Sequence, residues 1–327
     1  MKRILTITVI SVVIVGGLSY ILFGMWAKGN PNKENVEGET EKINEIVITH
    51  HFAEAAGLKW HYIEAGDSTK KTIVFVHGVP DSWYGWSNQI WALADDYHII
   101  AIDMKGFGQS DKKIDGMNTD MEIAQQTTKL FEVIGIESYY LVSHDWGTAI
   151  TDVIAATNTE KVLKYVRIEG AGLEVDLNRT QQLVKLRDPE EGVKLLSKAR
   201  LLVQKAYSNL TVQEVPKEAI DHAIGEFSRK GTAKAVQQYY IGLDIREENI
   251  DEIIQNKKGN FAKMTMPVLL LQAESDPLQP IDSLEGFEEA FPDAKLQIVK
   301  GAGHFPQQEC PDVVTNAILS FIDMNKE

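Results

Sequence analysis

Eight short strand-like runs, most of them separated by helical patterns, constrain the fold of this chain more than any other feature. Several, such as TIVFV at residues 72–76 and VLLLQ at residues 268–272, are apolar almost throughout, as expected for strands buried on both faces of a sheet. The predicted strands cover residues 47–50, 58–66, 72–78, 97–103, 139–143, 162–170, 268–272 and 295–299. Because strands that alternate with helices form sheets covered on both sides, the sequence predicts an α/β fold with an eight-stranded, mostly parallel sheet.

The alternation of strands and helices is interrupted between residues 171 and 261. This segment is charged and rich in helical patterns, and it contains few strand signals. It begins directly after one predicted strand and ends before another, so we interpret it as an inserted helical cap. Ligand sites of parallel sheets gather at the carboxyl edge, which the cap would cover. The predicted body then comprises residues 45–170 and 262–327.

An uncharged apolar run at residues 4–26 precedes the predicted body. As a helix it would be about 34 Å long, enough to cross the hydrocarbon core of a bilayer. Lys2 and Arg3 favour a cytoplasmic N-terminus, and no A-x-A cleavage site follows. Residues 1–27 are therefore predicted as an uncleaved signal anchor, with a cleaved signal peptide and secretion as the alternative. Residues 28–44 are polar and predict a flexible tether, which would hold the body on the extracytoplasmic side of the membrane.

Charge and cysteine content exclude several classes of site. The formal net charge is −14, which disfavours a nucleic acid as the partner. Cys310 is the one cysteine, so the chain can form neither an internal disulfide nor a thiolate metal cluster.

The sequence SHDWG at residues 143–147 places a carboxylate at the apex of a predicted strand–turn–helix. A turn of this kind commonly presents a nucleophilic serine, but here the apex residue is Asp145. A carboxylate is already ionised at neutral pH and can attack an sp3 carbon that bears a leaving group, which gives an alkyl ester. The alternative is that Asp145 only caps the following helix. The pattern favours chemistry on epoxides or alkyl halides.

Two residues near the C-terminus are the candidate partners of this nucleophile. His304, in GAGHF, follows the last predicted strand, and Asp276, in AESDP, follows the strand before it. Asp276 would orient the imidazole of His304, which would activate water against the ester. Glu169 follows the strand at residues 162–168 and remains an alternative acid.

The loop HGVP directly follows TIVFV and is the candidate source of one half of an oxyanion hole. In this context the loop and the residue after the nucleophile each supply a backbone N–H. Those donors would be Val79 and Trp146. His77, Gly78 and Pro80 are predicted to shape the loop.

The combination of HGVPDSWYGW, DMKGFGQSD, SHDWG, AESDP and GAGHF resembles the epoxide hydrolases of the α/β-hydrolase superfamily. The resemblance covers residues 45–327 and extends to haloalkane and fluoroacetate dehalogenases. It implies the α/β-hydrolase fold and a mechanism in which an aspartate attacks carbon and a histidine-activated water then hydrolyses the ester. It implies neither a metal nor an organic cofactor. The implied ligand is a small apolar or amphipathic molecule with an epoxide or another leaving group on an sp3 carbon.

The resemblance also implies cap tyrosines that protonate the opening epoxide oxygen. The segment EFSRKGTAKAVQQYYIGL resembles the part of the cap that carries one of them, with Tyr239 at the matching position and Tyr240 as the alternative. Gln182 occupies the expected place of the second tyrosine, and Tyr207 is a candidate substitute.

Two other functions remain open from the sequence. A haloalkane-type dehalogenase would use the same aspartate but needs two halide donors. Trp146 could be one, whereas the HGVP loop has Val79 and the insertion contains no tryptophan. Fluoroacetate dehalogenases carry an arginine where Trp146 stands. The second alternative is a non-catalytic, membrane-tethered binding module, since a protein can keep a fold after losing the activity.

Overall fold

A computed structural model describes residues 33–114, 116, 118–172, 185–243, 249–291 and 294–324. Within them, nine strands form one sheet in the order β1-β2-β3-β5-β4-β6-β7-β8-β9. The strands are β1 (Thr40–Ile43), β2 (Ile46–Ala55), β3 (Leu58–Ala65), β4 (Thr72–Val76), β5 (His98–Ile102), β6 (Tyr139–His144), β7 (Val162–Ile168), β8 (Val268–Ala273) and β9 (Ala294–Val299). Strands β4 to β9 run parallel, whereas β1, β2 and β3 are joined to each other and to β5 by antiparallel pairing. The predicted α/β fold with a mostly parallel sheet is confirmed.

The helices of the described residues flank this sheet. Short 3-10 helices cover Trp83–Trp86 and Ile281–Leu284. The α-helices are α1 (Ser87–Leu93), α2 (Asp120–Val133), α3 (Trp146–Thr157), α4 (Glu191–Leu196), α5 (Ala199–Asn209), α6 (Lys217–Phe227), α7 (Thr232–Leu243), α8 (Ile250–Phe261), α9 (Phe287–Ala290), α10 (Pro306–Glu309) and α11 (Pro311–Asp323).

The N-terminal edge of the sheet differs from the prediction in two respects. The sequence predicts eight strands and a tether over residues 28–44, but Thr40–Ile43 forms a ninth strand that pairs with β2. Farther upstream, the Asn35 N–H donates to Gln109 Oε1 at 2.7 Å. Strand β1 escapes sequence analysis because it is only four residues long, and three of its side chains are exposed, so it carries no hydrophobic alternation.

The hydrophobic core consists of two clusters, one on each face of the sheet. Alternate residues of β4 supply them: Val74 and Val76 belong to the first cluster, Ile73 and Phe75 to the second. Because side chains alternate across a strand, the two clusters lie on opposite faces. Helices α2 and α3 cover the first face, and α1 and α11 cover the second. Burial on both faces explains why the central strands are continuously apolar.

The segment between β7 and β8 contains helices α4 to α8 in its described part. Their buried side chains, among them Val203, Phe227 and Val236, join the first core cluster together with Phe107 of the body. The inserted helices are therefore packed on the body by apolar contact. Residues 173–184 and 244–248 of the predicted cap lie outside the described residues.

None of the helices within the described residues combines the length and apolarity needed to cross a bilayer. The span predicted at residues 4–26 lies outside them. The signal anchor and its cleaved alternative stay predictions.

Candidate active site

The residue at the apex of SHDWG has a strained backbone. Asp145 lies between β6 and α3 with φ 49° and ψ −122°, a backbone conformation that residues other than glycine rarely adopt. Two glycines make room for it. A Cβ atom on Gly78 would lie 2.5 Å from the Cβ of Asp145, and one on Gly147 would lie 2.6 Å from the His77 carbonyl oxygen. The strained turn at Asp145 is therefore packed closely against backbone on both sides.

The HGVP loop lies beside this apex because Val76 of β4 pairs with Ser143 of β6. The Val79 N–H donates to Asp145 Oδ2 at 2.9 Å, and the backbone N–H of Trp146 adjoins the same carboxylate and lowers its pKa. Both donors predicted for an oxyanion hole therefore converge on one carboxylate group. Such an arrangement would stabilise negative charge that develops on Oδ2.

His77 and its neighbours hold the loop in this position. The imidazole Nδ1–H of His77 donates to the Gly78 carbonyl at 2.8 Å, and Nε2 accepts the Met104 N–H at 3.1 Å. Burial lowers the pKa of His77, so the ring is neutral and can serve as donor on one side and acceptor on the other. The Val79–Pro80 peptide bond is cis.

His304 lies between two carboxylates. Its Nδ1 is 2.7 Å from Asp276 Oδ2, and its Nε2 is 3.5 Å from Asp145 Oδ1. Burial opposes a charge on the imidazole, but the two carboxylates outweigh burial and raise the pKa of His304 well above its ordinary value. Burial raises the pKa of Asp145, but the hydrogen bond and the positive charge of His304 more than offset this effect. The pKa of Asp145 is therefore lowered. The resting site therefore holds an imidazolium between two carboxylates.

The two candidate acids occupy different positions around His304. Asp276 bonds the imidazole directly, whereas Glu169 lies beside Asp276, with carboxyl oxygens of the two residues within 4.8 Å of each other. Glu169 Oε2 accepts from the Gln272 side chain at 2.7 Å, and its Oε1 accepts the Ala273 N–H. Direct contact with the ring favours Asp276 as the orienting acid.

Within the described residues, one group of side chains has potential metal-ligating atoms within 4.8 Å of one another. It consists of Glu169, Asp276 and His304. Their atoms already bond each other and the neighbouring backbone. We interpret the group as a hydrogen-bond network.

The two adjacent cap tyrosines of α7 have different surroundings. Tyr239 is buried, and its hydroxyl donates to the Lys105 carbonyl at 2.6 Å. The ring of Tyr240 instead packs edge-to-face against the indole of Trp146, with ring centroids 5.2 Å apart. Burial and the negative charge of Asp145 raise the pKa of Tyr240, so its hydroxyl lies within electrostatic reach of the carboxylate and stays protonated. Of the pair, Tyr240 is therefore the one whose hydroxyl group faces the site.

Tyr207, the candidate second tyrosine, is engaged elsewhere. Its hydroxyl lies 3.3 Å from Asp81 Oδ2 and accepts from the Gln308 side chain at 2.9 Å. Burial raises the pKa of Asp81 to about 7. Gln182, the other position considered for this role, lies outside the described residues.

Sequence analysis missed Glu309, which clamps the backbone around His304. Its carboxylate accepts the N–H groups of Gly303 and Phe305 at 3.0 to 3.1 Å, and those of Val212 and Gln213 at 2.6 and 3.0 Å. The last two belong to the connection between α5 and α6, almost a hundred residues away along the chain. No local motif could have revealed that contact.

Replacing Glu309 with glutamine should lower the free energy of unfolding by about 1–3 kcal/mol, because an amide NH2 group would face backbone donors that lose their acceptor. Urea unfolding would measure the change. Glu274→Gln is the matched control, since Glu274 is exposed and accepts the Gly301 N–H of the same loop at 3.0 Å. An equal loss in both variants would contradict a special role for Glu309.

Comparisons with known proteins identify the fold family of this chain. A family described as "alpha/beta hydrolase fold" matches residues 71–311. Epoxide hydrolase 4 of Homo sapiens is 26% identical over 282 residues, which cover 82% of this chain and 76% of the relative. The soluble epoxide hydrolase of Corynebacterium sp. (strain C12) is 26% identical over 291 residues, covering 84% and 97%. The solved haloalkane dehalogenase DbeA from Bradyrhizobium elkani USDA94 superposes with a TM-score of 0.74 at 23% identity, covering 84% of this chain and 97% of that one.

Proposed function

Because this chain belongs to the α/β-hydrolase fold family and is a hydrolase with epoxide hydrolase homologues, we propose that it opens epoxides to diols through an ester on Asp145. One observation carries the proposal. The Asp145 carboxylate has one oxygen held by Val79 at 2.9 Å and the other facing His304 at 3.5 Å. A carboxylate in this position is a nucleophile with its water activator already beside it.

In the first step, Asp145 Oδ1 attacks a ring carbon of the epoxide, and the bond between that carbon and the epoxide oxygen breaks. The released electron pair stays on this oxygen, which takes the hydroxyl proton of Tyr240. The products are an alkyl ester on Asp145 and a phenolate on Tyr240. Conversion of the carboxylate to an ester removes a negative charge beside His304, so the pKa of the imidazole falls. The proton that His304 then releases restores the Tyr240 hydroxyl.

In the second step, neutral His304 Nε2 takes a proton from water, and the hydroxide adds to the ester carbon Cγ. Negative charge develops on Oδ2, to which the Val79 N–H donates a hydrogen bond, and the Trp146 N–H is the second proposed donor to the oxyanion. Collapse breaks the bond between Cγ and Oδ1, and the departing alkoxide takes the proton from His304 to complete the diol. Asp145 emerges as a carboxylic acid whose proton returns to His304. Atoms and protons therefore balance to epoxide plus water giving diol.

A haloalkane-type dehalogenase with the same nucleophile is the alternative, because the chain shares its fold with the haloalkane dehalogenase DbeA. A departing halide needs N–H donors beside the carbon that Asp145 attacks. The indole of Trp146 packs edge-to-face against the ring of Tyr240, with centroids 5.2 Å apart, and the insertion contains no tryptophan. A hydroxyl held near the nucleophile suits an alkoxide, which needs a proton, better than a halide, which does not.

The test is intact-mass analysis of the full-length His304→Gln variant after exposure to a panel of epoxides and alkyl halides. Without its water activator, the enzyme should accumulate the ester, with an added mass equal to a whole epoxide, mapped by peptide analysis to Asp145. The His51→Gln variant is the control: His51 lies on β2 and pairs with Glu37, so this variant should turn over without accumulating an adduct.

Two results would contradict the proposal. An adduct equal to an alkyl group without its halogen, and none from epoxides, would make the protein a dehalogenase. A folded variant that forms no adduct with any member of the panel would favour the non-catalytic binding module.

A further inference from the structure

Two buried acids meet where β7 and β8 end. Glu169 and Asp276 expose 1% and 2% of their surface, and they come close together because Ile168 of β7 pairs with Leu271 of β8. Carboxyl oxygens of the two residues lie within 4.8 Å of each other. Two carboxylates this close and out of water repel each other strongly, and a proton held between them in a hydrogen bond removes the repulsion. This geometry therefore favours protonation of one of the two.

The surroundings decide which acid carries this proton. Asp276 faces the imidazole of His304 at 2.7 Å and also accepts the Leu278 N–H at 2.7 Å, so its negative charge is stabilised by a cation and a donor. Among the described residues, the hydrogen-bond donors to Glu169 are neutral groups, the Gln272 side chain and the Ala273 N–H. The proton therefore belongs on Glu169.

The other charged groups nearby agree with this assignment. Arg167 lies on β7 two residues before Glu169, but its guanidinium is bound to Asp152 at 3.0 Å and to the Ala171 carbonyl at 2.7 Å. Burial and the charge of Asp276 raise the pKa of Glu169 well above its ordinary value, and His304 opposes them only in part.

His144 and Asp145 complete the surroundings of the imidazole. Burial and the charge of His304 lower the pKa of His144 to about 4, and its Nε2–H donates to the His304 carbonyl at 2.7 Å, so His144 contributes no charge at neutral pH. The charge state of His304 thus depends on the two carboxylates that face it, Asp145 and Asp276.

We propose that Glu169 is a positioning residue that stays protonated at neutral pH and donates its O–H to Asp276, which limits how strongly Asp276 holds the proton of His304. Once Asp145 has become an ester, Asp276 is the one remaining carboxylate against the imidazole. An unshielded Asp276 would keep the imidazole protonated and unable to activate water. A donor on Asp276 withdraws part of its charge and leaves His304 neutral when the second step needs it. This last consequence rests on the proposed function, whereas the protonation of Glu169 does not.

Two measurements without substrate test the inference. In infrared difference spectra between the wild type and Glu169→Gln at neutral pH, the C=O stretch of a protonated carboxylic acid should be lost. In nuclear magnetic resonance titrations, the imidazole of His304 should titrate about one pH unit higher in Glu169→Leu than in the wild type, because Asp276 loses its donor. Glu169→Gln, which keeps an N–H donor, should restore most of the wild-type titration.

A third measurement uses the ester. In single turnovers at neutral pH, Glu169→Leu should form the ester at the wild-type rate and hydrolyse it about tenfold more slowly, the fold-change that one pKa unit gives. Its hydrolysis rate should recover at higher pH, which a merely structural defect would not produce.

The inference is overturned if no carboxylic acid band depends on Glu169, or if His304 titrates identically in the wild type and a folded Glu169→Leu variant. Failure of the proposed function looks different. The infrared and titration results would stand, while the His304→Gln variant would form no ester with any epoxide.

Discussion

Replacing Asp145 with asparagine is expected to lower epoxide turnover by about 10⁴-fold or more, the scale on which enzymes lose activity without their nucleophile. An amide oxygen carries no full negative charge and is a poor nucleophile towards carbon. Asparagine tolerates positive φ better than most residues and can still accept the Val79 N–H, so the strained turn at φ 49° should survive. Steady-state turnover measures the loss of activity. Intact mass after exposure to the same epoxide measures the loss of ester formation.

The matched control for Asp145→Asn is Asp251→Asn. Asp251 is an exposed residue in the first turn of α8, so its substitution removes the same charge away from the site and should leave turnover unchanged. Thermal unfolding of both variants separates loss of the nucleophile from loss of the fold. A folded Asp145→Asn variant that keeps turnover, with its adduct on another residue, would contradict the assignment of Asp145.

The centre of the sheet could be predicted from the sequence because its signal is local. Strand β4 is buried along almost its whole length and β6 along all of it, and each is followed by a turn with small residues. Strand β1 could not be predicted, because its four residues are mostly exposed and it exists through pairing with β2. The described part of the segment between β7 and β8 contains helices α4 to α8, and helical patterns of this kind are visible in a sequence because they are also local.

The positions of the candidate site residues could be predicted, but not the contacts that distinguish them. Asp145, Asp276 and His304 each follow a strand of the parallel sheet, and the carboxyl ends of parallel strands share one edge. Glu169 follows a strand in the same way, so sequence spacing could not separate it from Asp276. The 2.7 Å contact of Asp276 with the His304 ring does separate them.

The choice between Tyr239 and Tyr240 exposes the same limit at a finer scale. Consecutive residues on a helix point about 100° apart, so the two adjacent hydroxyl groups have different surroundings even though both rings pack against Trp146. A match to a sequence motif is good to one or two positions and cannot decide between them. Tertiary contacts favour Tyr240, since the Tyr239 hydroxyl donates to the Lys105 carbonyl, whereas the negative charge of Asp145 acts on the hydroxyl of Tyr240.

Tyr240→Phe is therefore expected to slow ester formation from epoxides by about 10²-fold, the lower end of what a positioned general acid contributes. The opening oxygen would have to leave as an alkoxide without a proton donor. Tyr239→Phe should change this rate little, because its hydroxyl serves the Lys105 carbonyl, and it should instead lower the free energy of unfolding by about 1 kcal/mol. Rapid-quench mass analysis of ester formation in the His304→Gln background compares the two variants directly.

An alkyl bromide supplies the internal control for the tyrosine variants, because bromide leaves without a proton. If Asp145 reacts with such a compound at all, Tyr240→Phe should alkylate at the rate of its parent, so that its defect is confined to epoxides. A defect shared by both classes would mean that Tyr240 shapes the pocket and does not donate a proton. A 10²-fold loss in Tyr239→Phe with no loss in Tyr240→Phe would reverse the assignment. It would also require the Tyr239 hydroxyl to break its hydrogen bond to the Lys105 carbonyl when substrate binds. The contacts of α7 in the resting structure oppose such a movement.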